Sequence, residues 1–579
     1  MTEEESKSYI ESLKPKEGLN EYIVTCKSYE DLENFYDDME TPGGSLYIPN
    51  RSVGLVHRRT ISRNTHYMLT EEEAVEIRKD DRVIACNPPA EKRGIFPKPL
   101  WTQTGDFEKT AGTFTSADKN WGLYRMIKGD SVSNWGSDST TKISNRTINT
   151  TASGKNVDVV IVDDGINPNH HEFAVNTDGT GGSRVNQINW FQYSSALGIT
   201  TPASYPYSNN FGSNHGTHVA GTVAGNTQGW ARDATIYSMS FMSQDGTGGS
   251  GVSDWSEKLW DYLRYFHNNK AINPATGRRN PTITNHSWGT NYIGFSTLLV
   301  SSVTYRGTTT SVPAGAGASN TRKAILQANG CPVTGGGSFG QGIPAVDDAM
   351  IADITDALND GVIIVSASGN ESWNCESPGG VDFDNKITLN SGQVIFHSRG
   401  ASPAQTPGVI SVGAISSDAA ENKTDFSNWG DRVDIWAPGE DIISSLYSGF
   451  VFTTGAYNVG PVIQDPRGGA LYLASLDGTS MASPQICGIL ACLAEQEPNL
   501  TQAEALQHLI ENSLSEVHDT GGNPNASPYT AFGDSHNRYA FIPKKRSDDG
   551  MASPAQLHKN RNTTTSGVKY PRVRYQTRS

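Results

Sequence analysis

Val157-Asp158-Val159-Val160-Ile161-Val162 is a nearly unbroken β-branched run. A strand apolar on successive residues has no solvent face, so it predicts a parallel sheet covered on both sides. The run ends in Asp163-Asp164-Gly165, a carboxylate at the strand terminus followed by a glycine where the chain can turn away. Val362-Ile363-Ile364-Val365 repeats the pattern. Helical periodicities lie between the two. Asp254 and Glu257 read as a capping box ahead of Leu259, Trp260, Leu263 and Phe266. Over 345–359, Val346, Met350, Ile354 and Leu358 recur near period 3.6, and Gly361 stops them. This alternation, from about 119 to 540, predicts an α/β fold: a mostly parallel sheet with helices on both faces. Ligands of such a sheet sit beyond the carboxyl ends of its strands.

The chain ahead of that region is different. Residues 1–95 are charged and carry strand-like runs at 21–25 and 82–85, with acidic helical stretches at 31–39 and 70–78. Ser28 and Thr70 precede carboxylates that favour a helix N-terminus. The order predicts a small α+β, ferredoxin-like module. The Pro-, Lys- and Thr-rich stretch 87–112 reads as an exposed linker. The expected divisions are therefore 1–95, a linker at 96–118, the α/β domain at 119–543 and a tail at 544–579. The tail carries nine basic residues against two acidic ones, as a solvated disordered arm does.

Charge and apolar content exclude some classes. Asp+Glu exceeds Lys+Arg, 61 against 46, a net charge of −15 that argues against a nucleic-acid binder. The longest uncharged apolar run, 486–494, is half of the ~18 residues a membrane helix needs. Met1-Thr2-Glu3-Glu4-Glu5-Ser6 lacks the basic and apolar regions of a secretory signal, which leaves the compartment open. Six cysteines in 579 residues predict reduced thiols, with a Cys26–Cys86 bridge allowed if their strands are adjacent.

Three segments carry chemistry. Asp163 ends its strand. In Asn214-His215-Gly216-Thr217-His218-Val219-Ala220-Gly221, small residues let a helix pack closely against backbone, with an imidazole at its entrance. His215 and His218 lack the i, i+4 spacing and intervening Glu of a zinc-protease helix. In Gly478-Thr479-Ser480-Met481-Ala482-Ser483-Pro484, Ser480 opens an apolar helix, where unpaired N–H groups favour developing negative charge.

An acid, an imidazole and a hydroxyl in this order, within these motifs, resemble a subtilisin-like serine protease, the order being that of subtilisin itself. The resemblance covers roughly 119–515. It implies Ser480 as nucleophile, His215 as general base and acid, Asp163 as its orienter, and Asn370, in Ser366-Ala367-Ser368-Gly369-Asn370, as the oxyanion-hole amide. It implies an extended peptide held along Gly249, Ser250 and Gly251 and along Ser287, Trp288 and Gly289. Trp288 reads as pocket wall or as core. It also implies polypeptide substrates, a monomer, no cofactor for the chemistry, and an N-terminal propeptide that inhibits in cis and is cut off between 87 and 112, before Trp121-Gly122-Leu123. Calcium loops are common in the family; Asp164, Asp245, Asp382 and Asp384 are candidates without a regular ligand pattern, so the metal ligands stay unknown. Extra sequence at 306–342 and 372–405 departs from compact members, so substrate preference does not carry over. A non-catalytic scaffold and an esterase are the competing readings.

Overall fold

The computed structural model describes residues 18–48, 54–58, 63–88, 101–108, 118–129, 142–199, 214–240, 255–292, 296–315, 318–333, 338–339, 342–418, 421–447, 459–515, 517 and 533–542. They form two compact units that divide near residue 98. The first is a four-stranded antiparallel sheet in the order Gly54–Arg58, Asn64–Leu69, Asn20–Cys26, Val83–Asn87, with helices Leu32–Glu40 and Glu71–Ile77. This is the ferredoxin-like order. Tyr22, Val24, Tyr67 and Leu69 alternate inward onto Phe35, Met39, Ala74 and Ile77. Thr70 and Glu73 close a capping box. At the other helix, Ser28 Oγ accepts from the Asp31 amide one residue early. Cys26 and Cys86 lie on adjacent strands but face Val83 and Val24, and both are free thiols.

The second unit is built on a seven-stranded sheet, parallel at every pairing. Its order is Ile435–Pro438, Ile410–Ile415, Ile363–Ala367, Thr282–His286, Asp158–Asp163, Thr235–Ser240, Val185–Asn186. Alternate residues of the Asp163 strand serve two cores. Val159 and Ile161 pack with the helices Asn214–Ala224 and Thr479–Gln496. Val160 and Val162 pack with Trp255–Asn269 and Asp348–Asn359. The last of these helices starts at Asp348 because the Asp347 carboxylate caps the Ala349 and Met350 amides. The order in which strands are added reverses between the Asp163 strand and Thr282–His286, and the crevice of a doubly wound sheet opens at such a switch point.

One stretch departs from the sequence reading. Trp101–Glu108, placed in a linker, is a strand paired antiparallel with Lys142–Thr150 and parallel with Asp118–Asn120, and Phe107 is fully buried. The insertions at 306–342 and 372–405 come together in one four-stranded antiparallel sheet: Thr308–Ser311, Val300–Tyr305, Lys386–Leu389, Val394–Phe396. It has its own core of Val303, Leu326, Cys331, Trp373, Ile387 and Ile395. Its entry and exit are pinned together. Ala345 N donates to Thr290 O (2.9 Å), Thr290 N to Ser402 O (3.0 Å) and Ser402 N to Ala345 O (3.1 Å).

A buried ion pair ties the first described helix of this unit, Trp121–Lys128, to the segment between the strands Ile410–Ile415 and Ile435–Pro438. Arg125 Nε and Nη2 reach Glu421 at 2.9 and 2.8 Å, and the guanidinium lies over the Tyr539 ring. Both side chains are about completely buried. Arg125→Ala leaves a carboxylate stranded in the core and is expected to cost ~3–5 kcal/mol, whereas Arg125→Met with Glu421→Leu costs much less. Urea midpoints of the two variants check this.

Candidate active site

The carboxyl edge of the sheet gathers the expected acid and imidazole. Asp163 closes its strand, and its Oδ1 accepts from the Asp164 amide (2.8 Å) and from His215 Nδ1 (2.8 Å). His215 is the second residue of its helix, whose entrance is fixed by Asp164 Oδ1 accepting from Gly216 N at 2.8 Å. A Cβ at Gly216 would lie 2.3 Å from Gly165 O, so the close approach requires glycine. Burial opposes charging of His215, but the Asp163 carboxylate, its hydrogen bond and Asp164 outweigh this and hold the imidazole above its ordinary pKa. Asp163 is held low: burial opposes this, and the imidazole charge and hydrogen bond prevail. His218 has another task. Its Nε2 donates to Ile442 O and Ala474 O at 2.9 and 3.1 Å, and burial drives its pKa down to about 3. It anchors the helix as a neutral ring.

Ser480 is the second residue of the helix Thr479–Gln496, which packs against the His215 helix. Its hydroxyl donates to Ser287 O at 3.1 Å, and Ser287 Oγ donates back to Ser480 O at 2.9 Å. The second bond follows from the sequence. Position 484, four residues on, is proline, which has no N–H to give the Ser480 carbonyl. Ser287 takes that place. Asn285 Nδ2 holds Ser287 Oγ (2.9 Å) and Ser483 Oγ donates to Asn285 Oδ1 (3.0 Å), so one buried polar network fixes the helix start to the Thr282–His286 strand. Asn285 and Ser483 escaped the sequence reading. The alternate Asn-x-Ser at a strand end was the available signal.

Asn370 lies just past the strand Ile363–Ala367. Its Oδ1 accepts from Thr479 N at 2.9 Å and Thr479 Oγ1 at 2.8 Å. A backbone N–H can only donate, so this bond sets the amide orientation and leaves Nδ2 on the other side. Gly478, at φ 151°, keeps that side open: a Cβ there would stand 3.4 Å from Asn370 Nδ2 and 3.5 Å from Ser480 N.

The remaining expected residues divide. Ser287 is buried in the network above, and Gly289 is exposed beyond it. Trp288 is half-buried, packs on the second core, and donates its indole N–H to Val162 O at 3.0 Å. Gly249, Ser250, Gly251 and Asp245 lie outside the described residues, as do the tail and most of the linker. Asp382 is engaged by Arg306 at 2.7 Å and by Asn385, and Asp384 by Arg399. Among the described residues, Asp163, Asp164 and His215 are the one group with donor atoms close enough to share a metal ion. Those atoms already bond to one another and to the helix entrance.

An all-parallel sheet that carries acid, imidazole and hydroxyl at element ends along its carboxyl side defines an α/β protein of the subtilisin-like class. The sequence profile of the Subtilase family matches residues 154–541, and the chain belongs to that family. It is 28% identical over 370 residues to a protein named Subtilisin-like protease 3 from Arthroderma otae, covering 64% of this chain and 60% of that one. It is 25% identical over 424 residues to Alkaline protease 1 from Aspergillus flavus, covering 72% and 69%. The chain thus spans about 60% of the length of the first curated relatives it matches. A solved cold-adapted subtilisin-like serine proteinase is similar over 67% of this chain and 93% of its own, at 20% identity and a TM-score of 0.38.

The Asp163–His215 pair makes a direct expectation. In Ser480→Ala protein, the His215 ring should titrate above ~6.5, the ordinary histidine value. Adding Asp163→Asn removes the largest opposing charge and leaves burial against Asp164 alone, so the same resonance should then titrate at lower pH than in Ser480→Ala protein. Histidine NMR titration reads both, and an unmoved midpoint contradicts the account.

Proposed function

We propose that this chain is a serine endopeptidase matured by removal of its own N-terminal module. What carries the reading is the buried Asp163–His215 hydrogen bond beside a helix-opening serine whose neighbour grips the Asn370 amide. The protease names of the fungal relatives support it. Ser480 Oγ turns from Ser287 O toward the imidazole, gives its proton to His215 Nε2 and attacks the scissile carbonyl. Charge develops on the carbonyl oxygen, where Asn370 Nδ2 and the Ser480 N–H donate. His215 then protonates the leaving amine, an acyl-enzyme forms, and water attacks it by the same proton route in reverse. Asp163 keeps the ring in one tautomer and stabilises the imidazolium. Proton transfer and charge stabilisation both come from protein groups, so the chemistry needs no metal or cofactor.

The substrate is an extended polypeptide lying along 249–251 and 287–289. The enzyme works as a monomer, and its first polypeptide partner is its own ferredoxin-like module. The integration of Trp101–Glu108 into the larger unit argues for a cut before Trp101.

A fluorophosphonate probe should label the matured protein, and Ser480→Ala should abolish labelling and lower kcat by ~10⁶, the magnitude for subtilisin's own serine. Asn370→Ala should lower kcat by ~10²–10³, again the subtilisin magnitude. His215 accepts a proton only when neutral. Its raised pKa therefore places the acid limb of the kcat/KM profile above ~6.5, and Asp163→Asn moves that limb to lower pH. Mass spectrometry should show a loss of about 10 kDa, roughly 100 residues of a 62.4 kDa chain, that Ser480→Ala prevents. Labelling that survives Ser480→Ala refutes the assignment.

A further inference from the structure

The loop that carries Asn370 hangs on one asparagine. Asn428 is completely buried. Its N–H donates to Gly369 O at 2.9 Å, and its Nδ2 donates to Ser368 O at 2.8 Å and to Glu371 Oε2 at 2.8 Å. Its Oδ1 accepts from Trp373 N at 2.8 Å. These four bonds straddle position 370, two before it and two after. Thr479 holds Asn370 from the Ser480 side. The loop is closed down on this clamp: at Gly369, with φ 108°, a Cβ would stand 2.2 Å from Asn428 Nδ2 and 2.5 Å from Glu371 Oε2. The other Glu371 oxygen, Oε1, accepts from Asn291 Nδ2 at 3.0 Å. Asn291 is the first residue of Asn291–Tyr292, the strand with which the inserted subdomain begins.

We infer that Asn428 is a positioning residue of the oxyanion hole. Through Ser368, Gly369, Glu371 and Trp373 it sets where the Asn370 amide stands. Glu371 extends the same constraint to Asn291, so the inserted subdomain is mechanically part of the catalytic site. The inference rests on the endopeptidase reading and names a determinant of its rate. An amide donor stabilises charge only when aimed at the position the oxyanion will occupy, and a misplacement of about 1 Å costs on the order of 10²-fold. Asn428 touches neither Asp163 nor His215 by any of these bonds, so the proton-transfer half of the site is independent of it.

The test is a double-mutant cycle on protein expressed as the full chain and then matured, with a chromogenic peptide substrate. Asn428→Ala should lower kcat ~10–100-fold with KM little changed. It should weaken binding of a peptide boronate, whose tetrahedral adduct uses the same hole, by a similar factor, and leave the acid limb of the pH profile in place. With the amide already gone there is nothing left to position. Asn428→Ala combined with Asn370→Ala should therefore be no slower than Asn370→Ala alone. Unchanged kcat, or losses that multiply in the double variant, would overturn the inference. If Asn428→Ala yields no folded protein, Asn291→Ala, at the outer end of the clamp, is put through the same cycle with the same two outcomes. Failure of the underlying reading looks different: the unmodified protein would then neither cleave the peptide nor label at Ser480.

Discussion

Because both faces of the parallel sheet are covered by helices, the chain can present chemistry only at the strand ends. Val159 and Ile161 face one core while Val160 and Val162 face the other, so nothing along the strand is free for a ligand until Asp163. The reversal of strand order beside it opens room for groups from other segments. His215 and Ser480 arrive on helices from the same face, and Ser287 and Asn370 arrive from the two strands on the reversed side. Each polar group is then fixed by a donor or acceptor that secondary structure leaves unpaired. Asp164 takes a helix-entrance amide, Asn370 takes the Thr479 amide, and Ser287 takes the carbonyl that Pro484 cannot serve.

That last substitution of partners matters beyond bookkeeping. A proline inside a helix ordinarily leaves a carbonyl to water or bends the axis. Here the orphaned carbonyl belongs to Ser480, and a side chain from the neighbouring strand satisfies it. The helix and strand are thereby locked together at the helix entrance. A buried network that is fully satisfied fixes one geometry, and this one joins Asn285, Ser287, Ser480 and Ser483.

The elements legible in the sequence are those whose signal is local. Two-sided burial shows as an unbroken β-branched run, helix entrances show as capping residues, and Asp163, His215, Ser480 and Asn370 each sit in a short motif. What was hidden depends on distant partners. Trp101–Glu108 reads as linker because its composition is loop-like, and only pairing with Lys142–Thr150, some 40 residues on, makes it a strand. The shared sheet of the two insertions leaves no local signal because it joins Val300–Tyr305 to Lys386–Leu389 across about 80 residues of intervening chain. Asn428 shows nothing at all locally. Its importance comes from four bonds to a loop some 55 to 60 residues earlier in the chain.

The three-way tie among Thr290, Ala345 and Ser402 makes the inserted subdomain a cassette on a closed stem. Its length beyond the stem can change at a cost that grows only as the logarithm of the added residues. Ser287 need not move when it does, and Asn370 keeps its place so long as the Asn291–Glu371 bond at the base of the subdomain is retained. Sequence beyond that base can thus lengthen or shorten while the groups at the strand ends stay where they are.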